Sequence, residues 1–229
     1  TASVLDLKEG DEIMVQAVKD PAGNKGVRLT RYLSFAGRYV VFLPSFSFVG
    51  VSRKITDEKT REKLQKIAEK FRPKGRGIII RTAGETAKKS EIKHEIEYLK
   101  KQYDEIEENF KTAKSATCVY EEGNVGVRLL RDVYTEDVEK FVVSDKDLFD
   151  KLLVYAKRHD KALKGKLKLY DKKIDMFRYY GLSESVDNML SSSVPLENGA
   201  YIVIDKTEAM TVIDVNTGKF TGDANLEET

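Results

Sequence analysis

Gly77-Ile78-Ile79-Ile80-Arg81-Thr82-Ala83-Gly84-Glu85 is the stretch on which the fold turns. Gly77–Ile80 reads as a buried strand, because its β-branched side chains suit a pleated, covered surface. Upstream, Thr56 or Asp57 caps a helix that runs to about Phe71. Leu64, Ile67, Ala68 and Phe71 lie at i, i+3, i+4 and i+7, so they form one apolar stripe. Pro73-Lys74-Gly75 ends that helix. Further upstream, Tyr39–Leu43 is a continuous apolar run of β-formers, a second buried strand. Strand, helix, strand predicts an α/β (α+β) fold, a mixed sheet carrying helices.

Working outward, Glu12–Lys19 has a strand pattern with Ile13, Val15 and Ala17 alternating, and Pro21–Gly26 is a turn cluster before a strand from Val27 to Leu33. Ser90 caps a long helix to about Phe110. Ile92, Ile96, Leu99, Tyr103, Ile106 and Phe110 are spaced 4, 3, 4, 3, 4, one continuous stripe. Core packing is the first reading of that stripe, and His94 falls off it, as an exposed residue. Thr117–Tyr120, Gly126–Leu130 and Glu139–Val143 read as short strands, and Ser144 caps a helix from about Asp145 to Arg158. Lys166–Leu169 reads as a basic strand. Asp175–Tyr180 and Ser183–Leu190 read as helices with Gly181 between them. Ser191–Pro195 reads as a linker. Tyr201–Ile204 and Met210–Val215 then form a hairpin, turning at Asp205–Glu208. No internal repeat is visible.

Two constellations could carry chemistry. Arg81-Thr82 stands where an apolar strand ends, and open α/β sheets bind ligands at such ends. Arg offers a planar fork of donors matched to phosphate, and the Thr hydroxyl adds another. The bland alternative is an Arg in a surface salt bridge. On the last strand Val212, Asp214 and Asn216 share one face by the strand period. A carboxylate and an amide aimed the same way suit a hard cation such as Mg²⁺, which takes oxygen ligands and keeps several waters. The bland alternative is an Asx turn before Thr217-Gly218. Phe177, Tyr179 and Tyr180, beside Arg178, are candidates for stacking on bases, with a place in the core as the first reading.

The bulk numbers exclude several classes. The chain has 229 residues, and no run of eighteen apolar residues exists to span a membrane. No signal peptide is visible. Cys118 is the only cysteine, which excludes a disulfide framework or a cysteine-rich zinc site within one chain. A cytoplasmic location fits. The chain begins at Thr1, as a fragment or trimmed piece would. The net charge of +2 announces no polyanion binder. Its distribution says more: Lys151–Arg178 holds ten Lys or Arg against three Asp, and Gly181–Thr229 holds nine Asp or Glu against two Lys. Cations for phosphate beside carboxylates for a metal suit an enzyme acting on a polyanion. A solvated face and an acidic tail are the alternative.

Three blocks carry a family resemblance: LSFAGRYVVFLP (33–44), GIIIRTAGE (77–85) and IVIDKTEAMTVIDVNTGKFTG (202–222). They resemble the ribonuclease E/G family, bacterial Mg²⁺-dependent endoribonucleases that cleave single-stranded RNA in rRNA processing and mRNA decay. The resemblance implies a ribonuclease H-like mixed sheet over residues 31–125 and a small 5′-sensor subdomain over 126–194. It also implies the remnant of an OB-type RNA-binding barrel over 1–30, and the first hairpin of a DNase I-like catalytic subdomain over 195–229. It makes Asp214 a catalytic metal ligand, and gives Asn216 the role of holding a second metal-binding aspartate. Arg81 and Thr82 would hold an RNA 5′-monophosphate, with backbone at Gly37 and Val41 completing the pocket. Lys25 and Arg53 would contact RNA.

The front of the barrel, the second catalytic aspartate and the cysteine motif that shares zinc between subunits have no counterpart in this sequence. The expectation is therefore a truncated, inactive portion of the enzyme, with half a metal site and a whole phosphate pocket. Asp205 and Glu208 are placed too far along the hairpin to complete the metal site, and Asp223 is the nearest substitute. A non-catalytic module binding RNA 5′ ends is the alternative, and a purely structural α/β domain the third. A homo-oligomer stays open for the full-length protein.

Overall fold

The computed structural model describes residues 7–135, 137–159, 161–197 and 199–218. In chain order the elements are β1 (Gln16–Lys19), β2 (Arg28–Thr30), β3 (Phe35–Ala36), β4 (Val40–Leu43), β5 (Val49–Val51), α1 (Glu58–Phe71), β6 (Gly77–Ile80), α2 (Lys89–Thr112), α3 (Val125–Asp132), β7 (Phe141–Val143), α4 (Lys146–His159), α5 (Lys161–Lys166), β8 (Leu167–Leu169), α6 (Met176–Tyr179), α7 (Ser183–Leu190), β9 (Ser193–Pro195), β10 (Tyr201–Lys206) and β11 (Thr211–Asn216). A 3₁₀ turn, Thr82–Glu85, follows β6. The described residues fall into two compact units. One runs up to Phe141 and includes Lys146–Lys168, and the other comprises Val142–Asp145 and the chain from Leu169 on.

The first unit is built on a mixed sheet in the order β3-β4-β6-β5. β4 and β6 are antiparallel with Val40 opposite Ile80, and β5 and β6 are parallel. Parallel neighbours need a crossover, which α1 supplies. Asp57 caps α1, its Oδ2 accepting from the Thr60 N–H at 2.8 Å. Those Thr60 hydrogen bonds hold the Asp57 carboxyl below its ordinary pKa. Val40, Phe42, Ile78 and Ile80 from the strands meet Leu64 and Ala68 of α1 and Ile92, Ile96, Leu99 and Ile106 of α2 in one core. The expected α2 stripe is buried from Ile92 to Ile106, with Phe110 partly exposed, and the α1 stripe is buried at Leu64 and Ala68 and partly buried at Ile67 and Phe71. Ser90 is not the cap of α2: Lys88 is, and its N–H donates to Glu91 Oε2 at 2.6 Å. A glutamate one turn in satisfies the donor at the helix entrance, so no hydroxyl is needed there.

Gly126–Leu130, expected as a strand, is helical, and Thr117–Tyr120 is not a strand. Asn124 caps α3 through Oδ1, accepting from Val127 N at 3.1 Å. Gly126 lets α3 approach α4, since a Cβ there would sit 2.9 Å from a Leu148 methyl. Leu130, Leu152, Ala156 and Leu163 are fully covered in the packing of α3, α4 and α5. Gly126 and Leu130, four residues apart, make the buried face of this short helix. β1 and β2 form a two-stranded antiparallel ladder, with no closed barrel among the described residues.

The second unit carries a sheet in the order β11-β10-β9. Ser193–Pro195, expected as a linker, is its edge strand, where a proline without an N–H is tolerated. Asp175 caps α6, and Gly181, at φ +69°, ends it in the left-handed region that favours glycine. Phe177, Tyr179 and Tyr180 are about half exposed, so the core reading does not hold for them. Tyr179 and Tyr180 pack edge to face and both lie against Tyr170. Among the described residues no helix is long and apolar enough to cross a membrane.

Candidate functional site

In the first unit, β6 delivers Arg81 at its C-terminal end. The Arg81 N–H donates to the Tyr39 carbonyl at 2.8 Å, extending the β4–β6 ladder one step. Its Nη1 donates to the Gly37 carbonyl and pairs with Asp132 at 2.7 Å. Both side-chain contacts use one terminal nitrogen. Among the described residues, Nε and Nη2 keep their donors for another ligand. The 3₁₀ turn then presents Thr82, whose hydroxyl lies 3.0 Å from the Ser52 hydroxyl. Ser52 is held there because its N–H donates to the Ile80 carbonyl at 2.8 Å. Gly84 keeps the turn tight, as a Cβ there would meet Ile80 at 2.6 Å.

The loop between β3 and β4 faces Arg81. The Gly37 N–H donates to the Val40 carbonyl at 2.8 Å, so Gly37 offers Arg81 its carbonyl and keeps its N–H for the loop. Val41 pairs with Ala36 on one side and Ile79 on the other, and is half-buried. By the strand alternation it shares its face with Ile79. Gly37, Arg81 and Thr82 are therefore brought together, with Val41 two strand positions in from Tyr39, the residue opposite Arg81. Arg53 is exposed in the turn that follows Ser52, and Lys25 is exposed in the β1–β2 turn.

Two charged groups that the sequence did not single out sit behind Arg81. Asp132, at the end of α3, is held by Arg131 through Nε at 3.1 Å and Nη2 at 2.8 Å. Hydrogen bonds from Arg131, and then from Arg81, keep the Asp132 carboxyl below its ordinary pKa despite partial burial. Burial disfavours the Arg131 charge, but its bonds to Asp132 and Glu122 outweigh that and raise its pKa. Arg131 also donates to the Ala36 carbonyl at 3.0 Å. The second group, Glu95 of α2, is buried at 3% exposure. Its carboxylate accepts the N–H groups of Arg38, Tyr39 and Val40 at 2.7, 2.7 and 2.8 Å. Burial raises its pKa, opposed by those three N–H groups and by Arg81. In sequence the only sign was a carboxylate next to the apolar stripe, beside Ile96, where a surface residue was as good a reading.

In the second unit, β11 carries Asp214 opposite Val203 and Asn216 opposite Tyr201. Asn216 Nδ2 donates to Asp214 Oδ2 at 3.0 Å, so the amide orients this carboxylate. Asp205 is not in the turn as expected. It belongs to β10, opposite Val212, and so shares the face of Asp214, one diagonal step away. Diagonal neighbours lie about 7–8 Å apart, a span at which two carboxylates can reach one hydrated cation between them. Glu208 lies in the turn, and Asp223 lies outside the described residues. Among the described residues no group of three or more His, Cys, Asp and Glu comes together to hold a metal. The carboxylate oxygens of Asp214 and Asp205 are hard donors, the kind that Mg²⁺ takes and a soft metal does not prefer.

A model of the ribonuclease E/G family matches residues 34–229. The chain is 37% identical to ribonuclease G of Haemophilus influenzae over 97% of its own length and 45% of the relative. It is 34% identical to ribonuclease G of Escherichia coli K12, over 97% of this chain and 46% of that protein. With ribonuclease E of the same bacterium it shares 32% identity over 97% of this chain and 21% of the relative. The chain thus spans a little under half the length of these ribonuclease G relatives. With the family's model covering all but the first 33 residues, the chain belongs to the ribonuclease E/G family.

Proposed function

We propose that this chain is part of a Mg²⁺-dependent endoribonuclease that hydrolyses single-stranded RNA in RNA processing and decay and is stimulated by a 5′-monophosphate. The observation that carries the reading is the convergence on Arg81. Its guanidinium is fixed by Gly37 and Asp132 through one nitrogen, with a Thr82–Ser52 hydroxyl pair at the next residue. A pre-oriented guanidinium whose Nε and Nη2 are unused among the described residues, followed in the chain by a hydroxyl pair, supplies the kind of donors a terminal phosphate takes. Asp214, oriented by Asn216, is the residue that would hold Mg²⁺. A bound Mg²⁺ would polarise the scissile phosphate and activate a water. A non-catalytic 5′-end-binding module is the second reading. It is favoured by the hydrogen-bond partner of Asp214, an amide that contributes no charge and occupies one carboxylate oxygen.

The test is Arg81→Gln in the family-length protein, on matched RNAs with a 5′-monophosphate or a 5′-hydroxyl. Loss of charge-assisted hydrogen bonds of about 1.5–3 kcal/mol corresponds to roughly ten- to a hundred-fold. The monophosphorylated RNA should be slowed by that factor, and the hydroxyl RNA far less. Equal slowing of both removes the sensor. Mg²⁺-dependent cleavage by the same protein, lost in Asp214→Ala, separates the enzyme from the binding module.

A further inference from the structure

The loop Gly37–Val40 is held from two sides. On the inner side the buried Glu95 carboxylate takes three consecutive N–H groups. On the outer side the carbonyls of Tyr39 and Gly37 take the backbone N–H and the Nη1 of Arg81. Consecutive N–H groups pointing into one concavity are an anion-binding nest, and here the protein's own carboxylate fills it. Gly37 has no room for a side chain, because a Cβ would lie 2.4 Å from Glu95 Cδ. The loop's conformation, and with it the direction of the Gly37 carbonyl that orients Arg81, therefore depends on Glu95.

We propose that Glu95 is a positioning residue for recognition of the RNA 5′-monophosphate, acting through the Gly37–Val40 loop on Arg81. The assignment rests on the 5′-phosphate reading above. Glu95 does not touch the phosphate: the nest it fills is closed to RNA, and its anion fixes the carbonyls on the other side of the same loop. Asp132, at the end of α3, pairs with the same Nη1. The guanidinium is thus fixed by a loop carbonyl and a helix-borne carboxylate, which reduces the side-chain ordering that binding would otherwise require.

The experiment compares Glu95→Gln, Glu95→Asp and Arg81→Gln in the family-length protein. The readout is the ratio of kcat/KM for a 5′-monophosphorylated RNA over its 5′-hydroxyl twin. A glutamine keeps the size of Glu95 but sets an NH₂ group against at least one of the three backbone donors. The ratio should fall about tenfold or more in Glu95→Gln, in keeping with the loss of a hydrogen bond to a charged group, and should stay closer to wild type in Glu95→Asp, which keeps the charge. A defect confined to general folding lowers both substrates alike and leaves the ratio where it was, and that result overturns the assignment. If Arg81→Gln lowers the ratio and Glu95→Gln does not, only the role of Glu95 falls. If Arg81→Gln leaves it unchanged, the phosphate reading falls and takes this one with it. A measurement on the unaltered protein keeps the test open if Glu95→Gln does not fold. By linkage, a phosphate that draws on the loop must stabilise the loop. Amide exchange at Arg38, Tyr39 and Val40 should slow when a 5′-monophosphorylated oligonucleotide binds and not when its 5′-hydroxyl twin does. Equal exchange with both overturns the proposal.

Discussion

Gly37→Ala is the sharpest test of how Glu95 and the β3–β4 loop fit together. The new methyl would stand 2.4 Å from Glu95 Cδ and 2.6 and 2.8 Å from its oxygens. Carbon atoms in contact prefer about 3.5–4.0 Å, so the carboxylate must retreat by about 1 Å. Its hydrogen bonds to Arg38, Tyr39 and Val40, now 2.7–2.8 Å long, would stretch past the usual range. Each bond to a charged group contributes about 1.5–3 kcal/mol, and the three share one carboxylate, so they do not simply add. Alanine returns about 0.4–1 kcal/mol through the unfolded chain. The expected net loss is about 2–4 kcal/mol, read as a lower urea midpoint at constant slope. Glu95→Ala should cost about 3–5 kcal/mol, because buried N–H groups lose their acceptor and a cavity opens. On that background the added methyl enters vacated space, and Gly37→Ala should cost less than about 1 kcal/mol, a coupling well outside ordinary additivity. If the two substitutions add to within about 0.5 kcal/mol, the contact between Gly37 and the carboxylate is not what makes the glycine necessary.

Four further outcomes are expected. Asn124→Ala removes the α3 cap and should lower stability by about 1 kcal/mol in urea unfolding; an unchanged midpoint would deny the cap any role. Followed by carboxyl-carbon NMR, Glu95 should release its proton above the ordinary 4.5 and Asp132 below the ordinary 3.8. By sign, Asp132 contributes stability above its unfolded pKa that is lost as pH falls through its folded one. Glu95, with its folded pKa raised, contributes stability below pH 4.5 that declines as pH rises through its folded pKa. In the family-length protein Asp214→Ala should abolish cleavage while a gel-shift assay shows RNA binding largely kept, and residues 1–229 alone should not cleave; cleavage by the 229-residue chain would make Asp205 the first residue to test as a second ligand. Replacing Lys166 and Lys168 by Gln should reduce the log–log salt dependence of RNA binding by nearly one unit for each RNA phosphate no longer neutralised. Because Lys166 also lies over the Tyr134 ring, Lys168→Gln alone is the cleaner variant, and an unchanged slope would mark a solvated face.

The sequence determined much of the first unit. Ile78 and Ile80, the α1 stripe around Leu64 and Ala68 and the α2 stripe from Ile92 to Ile106 are all in the core. Each was legible because helix and strand periods are local properties of the chain. The family was legible too, since its blocks are contiguous. Gly126–Leu130 was misread because five residues fit either period, and the choice was made by α4, against which Gly126 lets the helix settle. Pro195 gave a linker by composition and became an edge strand only because β10 lay beside it. Asp205 looked remote from Asp214 along the chain, and the register of the hairpin put them on one face. The roles of Asp132 and Glu95 were beyond reading, because they rest on partners 51 and 55–57 positions away. A buried carboxylate is stable only where donors converge on it, and that convergence is a property of the packed loop and helix, not of either segment alone.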